Sequence, residues 1–286
     1  MYSIAIASGK GGTGKTSLAV NLLSYWAQES RVSLIDLDVE APNDHLYLKG
    51  VETSSFPALR MVPHWDERKC SACGICSEVC AFNAILKLGD QLIVMPDLCH
   101  SCYACSELCP EGALPMQGRE CGTIRQVQYQ QTGYTEGRLQ AGEARSVPLI
   151  AETKRRHLEA HASDDWVIID APPGNACPLV ESVRDADHVL LVTEPTPFGL
   201  SDLKLIVETM RILGKDFSVV VNKWGSGDDR VLRYCEGAGI PVAGRIAFSR
   251  EAALQSAAGK LLWPVIPDYK ASIAQIRHFL TERLAQ

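Results

Sequence analysis

Two groups of residues in this chain are spaced for chemistry. The first is Gly9-Lys10-Gly11-Gly12-Thr13-Gly14-Lys15-Thr16, followed by Ser17. It satisfies the pattern G-x-x-x-x-G-K-[ST]. Its glycines let successive backbone N–H groups turn inward around an anion, and a helix opening at its end adds its dipole. Lys15 is then placed along the β- and γ-phosphates of a nucleotide, and the Thr16 hydroxyl is placed to ligate Mg²⁺. The second group is Cys70, Cys73, Cys76 and Cys80, repeated as Cys99, Cys102, Cys105 and Cys109. Eight of the eleven cysteines fall in this short stretch. In a reducing compartment such a cluster means metal, not disulfides. Zinc knuckles pair C-x₂-C units across a longer gap, whereas C-x₂-C-x₂-C-x₃-C wraps three thiolates around one iron–sulfur cubane.

These residues need a scaffold, and the apolar runs supply one. YSIAIAS (2–8), RVSLIDLD (31–38), WVIIDAPPG (166–174), HVLLVTEP (188–195), FSVVVNKWG (217–225) and IPVAGRI (240–246) read as strands, with helical spacing between them, as in LKLIVETMRILG (203–214). Continuous apolar strands separated by helices predict an α/β fold with a mostly parallel sheet covered by helices on both faces. Loops at the carboxyl ends of such strands carry function. Three strand ends do carry polar groups: Asp36 and Asp38 in LIDLDVEAPND, Asp170 in WVIID, and Asn222-Lys223 in VVVNKWG. Asp170, with Asp36 and Thr16, is placed to hold Mg²⁺, because a carboxylate at a strand end beside the metal is what phosphoryl transfer needs.

The rhythm breaks between residues 64 and 115. That stretch lacks long apolar runs and carries seven acidic against three basic side chains. CSACGICSEVCAFNAI (70–85) and CHSCYACSELCPEGAL (99–114) are near copies, so the stretch is an internal duplication. The reading is a discontinuous domain, 1–63 with 116–286, carrying an insert at 64–115.

Length and composition agree with a folded chain. It has 286 residues, 46% hydrophobic and 22% charged. Its net charge of −6 disfavours nucleic acid as a partner. No stretch has the length of a membrane span, and the N-terminus lacks the basic start of a signal peptide, so a cytoplasmic protein is expected. His45, His64, His100, His157, His161, His188 and His278 show no metal-ligand spacing with one another. The amphipathic ASIAQIRHFLTERLAQ at the end reads as a helix packed on the sheet, not a stable membrane anchor.

The K-G-G-x-G-K-T form of the loop resembles the deviant Walker motif of the MinD/ParA/Mrp-type (SIMIBI-class) ATPases, which include the nitrogenase iron protein. The resemblance implies an ATP-dependent homodimer that sandwiches nucleotide, with Lys10 reaching the partner's phosphates. It places Asp38 in switch I, where it would orient or deprotonate the attacking water, Asp170 at Walker B, and Gly174, after Pro172-Pro173, in switch II, where its N–H would sense the γ-phosphate. An Asn-Lys pair such as Asn222-Lys223 contacts the base in related folds. The guanine-specific form needs an aspartate where this chain has Gly225, so ATP/ADP is expected.

The cysteine repeats resemble bacterial ferredoxins with two [4Fe–4S] clusters. In that pattern the fourth cysteine of each run crosses to the other cluster. The resemblance implies Cys70, Cys73, Cys76 and Cys109 on one cluster, and Cys99, Cys102, Cys105 and Cys80 on the other. The chain departs from the pattern at Ala81, where proline is usual. Cys177, seven residues after Asp170, matches the spacing of the cluster-binding cysteine in the nitrogenase iron protein, or else is a small buried residue. Cys121 and Cys235 read as structural.

The expected activity is ATP hydrolysis that drives dimer gating. It is coupled to electron transfer, or to assembly of a metal or iron–sulfur cofactor, on a redox or metalloprotein client. The alternative is a MinD- or ParA-like positioning ATPase with the ferredoxin module as a redox sensor. An amidoligase of the cobyrinic acid synthase type would need a glutaminase domain, for which the chain has no room after residue 250. A plain electron carrier would not need the nucleotide residues.

Overall fold

The computed structural model describes residues 1–284. In chain order the elements are β1 (Tyr2–Ala7), α1 (Lys15–Trp26), β2 (Val32–Asp36), β3 (Val51–Pro63), α2 (Ile75–Glu78), β4 (Ile85–Leu88), β5 (Gln91–Val94) and α3 (Ala104–Glu107). Then come β6 (Met116–Tyr129), β7 (Thr132–Leu139), α4 (Val147–Ala160), β8 (Trp166–Asp170), α5 (Cys177–Val183), β9 (His188–Thr193) and α6 (Pro197–Ile212). The chain closes with β10 (Phe217–Trp224), α7 (Arg230–Gly237), β11 (Val242–Ala247), α8 (Arg250–Ala257) and α9 (Pro267–Leu284).

The chain divides into two compact units. The first comprises Met1–Ser55, Ile124–Arg138 and Ile150 onward; the second comprises Phe56–Thr123 and Leu139–Leu149. The main sheet has nine strands in the order β11-β10-β9-β1-β8-β2-β7-β6-β3. The pairs β10/β11, β9/β10, β1/β9, β1/β8, β2/β8 and β2/β7 are all parallel. All six expected strands are in it, and their continuous apolar runs have the expected cause. Ile4, Ile6, Leu34, Ile168, Leu190 and Val220 pack with α1 and α9 in one core. Residues of opposite parity, such as Ala5, Val167, Val189, Leu191 and Val219, are just as buried. Side chains alternate between the faces of a strand, so both faces are covered.

Helix α1 follows directly from the glycine loop. Gly14 has φ of 94°, a left-handed conformation that favours glycine, and it turns the chain from loop to helix. Asn21 sits inside α1 yet costs nothing in unmet bonds. Its amide donates to Ser17 O at 2.7 Å, and its Oδ1 accepts from Leu262 N and Trp263 N at 2.7 and 3.1 Å. The segment before α9 is pinned there. Ile273, Ile276 and Leu280 of α9 are fully buried against this core, so the C-terminal helix is a sheet-covering element through Leu284. Ala285 and Gln286, the last two residues of the expected helix, lie outside the described residues. No helix among the described residues is long and apolar enough to cross a membrane.

The second unit repeats itself as its sequence does. A 3-10 turn at Glu67–Lys69 and helix α2 recur, 29 positions on by the sequence, as Pro96–Leu98 and α3. Between them lies the two-stranded β4/β5 hairpin. This compact unit extends beyond the cysteine-dense 64–115. Arg60, fully buried, gives its Nε to Glu143 Oε2 at 2.7 Å and its Nη1 to Pro96 O at 3.0 Å. Cys121 Sγ donates to Ala58 O, and Gln140 N to Cys121 O. Cysteine density marks the repeats but not the flanking segments that pack around them.

Candidate functional site

The first unit gathers its polar groups at the carboxyl ends of β1, β2, β8, β9 and β10. The loop from Gly9 to Gly14 leaves β1, and Lys15 opens α1 with only 6% of its surface exposed. Thr16 Oγ1 donates to Asp170 Oδ2 at 2.5 Å. Asp36 is buried at the end of β2 and organises the loop that follows. Its Oδ1 accepts from Asp38 N at 3.0 Å, and its Oδ2 from Asn43 N and Asp44 N at 3.0 and 3.3 Å. Asp38 is left half-exposed at the loop's start, where Lys15 acts on it.

Among the described residues one trio of potential metal ligands stands close together. One oxygen each of Asp36, Asp44 and Asp170 lies within 4.8 Å of the others, and all three are buried. Asp170 Oδ1 and both oxygens of Asp44 have no hydrogen-bond partner. Unpaired buried carboxylate oxygens are costly, and hard-oxygen donors at this spacing suit Mg²⁺. Burial pushes Asp170 up to about 7, with Lys15 and the Thr16 hydroxyl opposing. Asp36 is pushed well above the carboxylate range by burial and then by Asp170, and Asp44 by burial and then by Asp36 and Asp170.

A pH dependence follows for the metal-free protein. Between the ordinary 3.8 and about 7, folded Asp170 keeps a proton that the unfolded chain has released. Stability must therefore fall as pH rises through that window and level off above it. Asp170 alone accounts for at most about 4 kcal/mol of the fall. Urea unfolding in EDTA at about pH 5 and about pH 8 should show this decline in the wild type and a smaller one in Asp170→Asn. Equal declines in both would contradict it.

Four other expected residues make contacts in or beside the loop in this conformation. Asn222 Nδ2 donates to Thr13 O at 2.7 Å. Lys223, held at φ of 55°, reaches Gly12 O at 3.1 Å and Glu194. Lys10 Nζ pairs with the other Glu194 oxygen at 3.0 Å. Burial raises the Glu194 carboxyl, but Lys223 and Lys10 outweigh it and hold the group below its usual range. Gly174, at φ of 97°, donates its N–H to Ser8 O at 3.0 Å. The side chains of Asn222 and Lys223 thus support the loop in this conformation and also line the recess beside it. A recess of about 880 Å³ opens beside the loop, lined by Gly12, Gly14, Ser17, Tyr47, Asn222, Phe248 and Tyr269 among others. Ser17 Oγ stands 3.5 Å from Tyr269 OH at its wall.

Sequence reading missed Asp44 and Glu194. Asp44 sits in what reads as a turn, PNDH. Glu194 is the one acid at the end of the fourth apolar run, which was its only signal.

In the second unit the cysteines form two quartets. Cys70, Cys73, Cys76 and Cys109 line one recess of about 330 Å³. Cys80, Cys99, Cys102 and Cys105 line another of about 330 Å³. Each quartet draws three members from one repeat and the fourth from the other. Loop backbones turn N–H groups onto sulfur in equivalent places. Ala72 N donates to Cys70 Sγ and Ser101 N to Cys99 Sγ, both at 3.4 Å; Ala84 N donates to Cys80 Sγ and Ala113 N to Cys109 Sγ, both at 3.2 Å. Ala72 and Ser101 have φ of 56° and 55°, and Gly74 and Tyr103 have 87° and 63°. Positive φ at non-glycine residues is uncommon and marks sites where geometry is imposed.

Four thiolates on one zinc ion at 2.3 Å stand about 3.8 Å apart. Among the described residues no three cysteines bring their sulfurs within 4.8 Å of one another. The quartets are too open for a single ion, whereas a four-iron cubane holds its thiolates farther apart. Burial and then the neighbouring Cys99, Cys102 and Cys80 push the Cys105 thiol up to about 11, and burial raises Cys76. These donors release their protons only to a strong cation or cluster. His100 stacks on Phe82 at 3.8 Å beside the second quartet. Cys177 is exposed at the start of α5, in the first unit; Cys121 and Cys235 are buried.

Comparison with known proteins matches the description "CobQ/CobB/MinD/ParA nucleotide binding domain" to residues 4–262. An uncharacterized protein of Methanocaldococcus jannaschii is 35% identical over 234 residues, covering 81% of this chain and 83% of its own length. The Pyrococcus furiosus cell division ATPase MinD superposes with a TM-score of 0.60 at 16% identity, covering 98% of both chains. The septum site-determining protein MinD of Pyrococcus horikoshii, solved with Mg-ADP, gives 0.60 at 14% identity, covering 96% of this chain and 93% of its own.

Proposed function

This chain belongs to the CobQ/CobB/MinD/ParA nucleotide-binding family and is an ATPase; from that premise we propose that its nucleotide state gates iron–sulfur chemistry on a partner protein. The observation that carries the iron–sulfur part is the pair of recesses, each ringed by four cysteines drawn from both repeats. Two [4Fe–4S] clusters would be held by Cys70, Cys73, Cys76 and Cys109, and by Cys80, Cys99, Cys102 and Cys105. When bound they would supply one-electron chemistry. The task is delivery of electrons to a client, or assembly of its metal or iron–sulfur cofactor.

The nucleotide residues divide the work of hydrolysis. Backbone N–H groups of Gly9 to Gly14 cradle the phosphates, and buried Lys15 neutralises charge on the β- and γ-oxygens. Thr16 and Asp170, already hydrogen-bonded to each other, hold the Mg²⁺ side, and Asp38 positions the water. Mg²⁺ offsets the charge that develops on the phosphates. Asn222 fixes the loop from behind through Thr13 O. Glu194 holds Lys10 within its own chain, so Lys10 must leave Glu194 to reach a second copy's phosphates. Gly174 must likewise exchange Ser8 O for the γ-phosphate. Both exchanges tie the loop's state to dimerisation.

The test is anaerobic reconstitution with iron and sulfide, followed by metal, labile sulfide and ATP turnover measured on one preparation. About eight irons per chain with matching sulfide are expected, together with hydrolysis. Preferential uptake of two zinc ions without labile sulfide would overturn the cluster assignment.

A second reading is favoured by the fold, which is that of MinD. In it the chain is a positioning ATPase and the cysteine unit a redox sensor. Stimulation of hydrolysis by lipid vesicles or by DNA would select this reading.

A further inference from the structure

The metal side of the nucleotide site contains a carboxylate that belongs to none of its motifs. Asp44 opens a 3-10 turn, Asp44–Leu46, after the loop organised by Asp36, and its side chain is completely buried. Neither of its oxygens has a partner. Asp36 is differently placed, because three backbone N–H groups occupy its two oxygens. Asp170 gives one oxygen to Thr16 and keeps Oδ1 free. The free donors facing this pocket are therefore Asp170 Oδ1 and both oxygens of Asp44. The nearby buried acid Glu136 differs again, since Arg125 at 3.0 Å and Arg138 at 3.5 Å both pair with its Oε1, while its Oε2 stands 3.3 Å from His45 Nδ1.

We infer that Asp44 is a direct ligand of a divalent cation, and that Asp44 with Asp170 binds this cation before any nucleotide arrives. Oxygen donors on one octahedral Mg²⁺ lie about 2.9 to 4.2 Å apart, given bonds of about 2.1 Å. The trio's 4.8 Å limit accommodates that set. A nucleotide-dependent site takes one or two carboxylates and completes its shell with phosphate oxygens. Here three buried carboxylates converge where Lys15 is the cation acting on Asp170. A divalent ion meets the two orphaned side chains at once. The preloaded site also sets the Thr16 hydroxyl, through Asp170, in the orientation the phosphates need. The inference deepens the ATPase reading by assigning a new ligand in the same site, and it rests on that reading only for the role of Thr16.

The probe is Mn²⁺, titrated into nucleotide-free protein and followed by the EPR signal of the free ion. Wild type is expected to take up about one Mn²⁺ per chain, displaced by Mg²⁺. Asp44→Asn should weaken uptake by at least about tenfold, while Glu136→Gln should leave it unchanged. In EDTA, Asp44→Asn should melt no lower than wild type, because an amide of the same size replaces a carboxyl that has no hydrogen-bond partner. Absence of Mn²⁺ uptake by nucleotide-free wild type overturns the inference. So does equal uptake by Asp44→Asn, or equal loss in Glu136→Gln. Binding of a fluorescent ATP analogue is measured in parallel. Wild type that takes up Mn²⁺ but no nucleotide would overturn the ATPase reading and leave the cation site standing.

Discussion

Replacing Lys15 with alanine is expected to lower ATP turnover by about a hundredfold to a thousandfold, the cost of removing one aligned donor from a phosphoryl or oxyanion site. The expectation comes from where the side chain stands. Lys15 is almost fully buried at the first position of α1, and its charge acts on both Asp38 and Asp170. No other lysine is free to replace it, because Lys10 and Lys223 are both paired with Glu194. The variant keeps every loop glycine, so the backbone cradle survives and weak nucleotide binding should remain. Iron content should be unchanged, since the cysteines belong to the other compact unit. Steady-state phosphate release on wild type and Lys15→Ala, with iron determined on both, checks this. Wild-type turnover in the variant would remove the assignment.

The second large effect concerns the crossing of the cysteine repeats. Cys109 lines a recess with Cys70, Cys73 and Cys76, not with its sequence neighbours Cys99, Cys102 and Cys105. Paired substitutions separate the two arrangements, as coupled sites do in any double-mutant comparison. Cys73→Ala with Cys109→Ala strikes one quartet twice, so about four of about eight irons should remain. Cys102→Ala with Cys109→Ala strikes both quartets, so almost no iron should remain. Assignment by sequence neighbours predicts the reverse. Iron and labile sulfide after anaerobic reconstitution give the answer directly. The intact hydrogen bonds from Ala84 and Ser101 to the second quartet's sulfurs explain why it should survive the first pair of changes.

The parts of the molecule that were legible in the sequence share one property: their pattern reports a local constraint. Six strands are buried on both faces, and a strand so placed is a continuous apolar run. The phosphate loop and the cysteine repeats are legible because backbone geometry ties them to fixed spacings. Strands β3, β6 and β7 were not legible. VETSSFPALRMVP contains a proline and presents mostly exposed or half-exposed residues, and MQGRECGTIRQVQY is largely polar. Apart from the β6/β7 neighbours, their pairing joins β3 to β6 and β7 to β2 across long stretches of chain, which no local pattern reports. The same holds within the sites. Asp44 reaches the metal pocket because Asp36 gathers the loop's N–H groups, and Glu194 reaches Lys10 because β9 ends beside the phosphate loop. Arg60 and Glu143, far apart in the chain, close the second unit through a buried ion pair.

The Lys10–Glu194–Lys223 cluster gives the proposed gating a physical form. One carboxylate holds both the lysine expected to cross to a partner and the lysine bound to Gly12 O. Release of Lys10 leaves Glu194 with one ammonium in place of two. On the proposed reading that cost would be met by phosphate charge from a second copy, which would confine hydrolysis to the paired state.

The most direct test of the central claim is the EPR spectrum of the reduced, cluster-loaded protein recorded without nucleotide, with ADP and with a non-hydrolysable ATP analogue. The account predicts that signals or midpoint potentials move with the ATP analogue and not with ADP. Full clusters whose spectra and potentials are the same in all three states would contradict it.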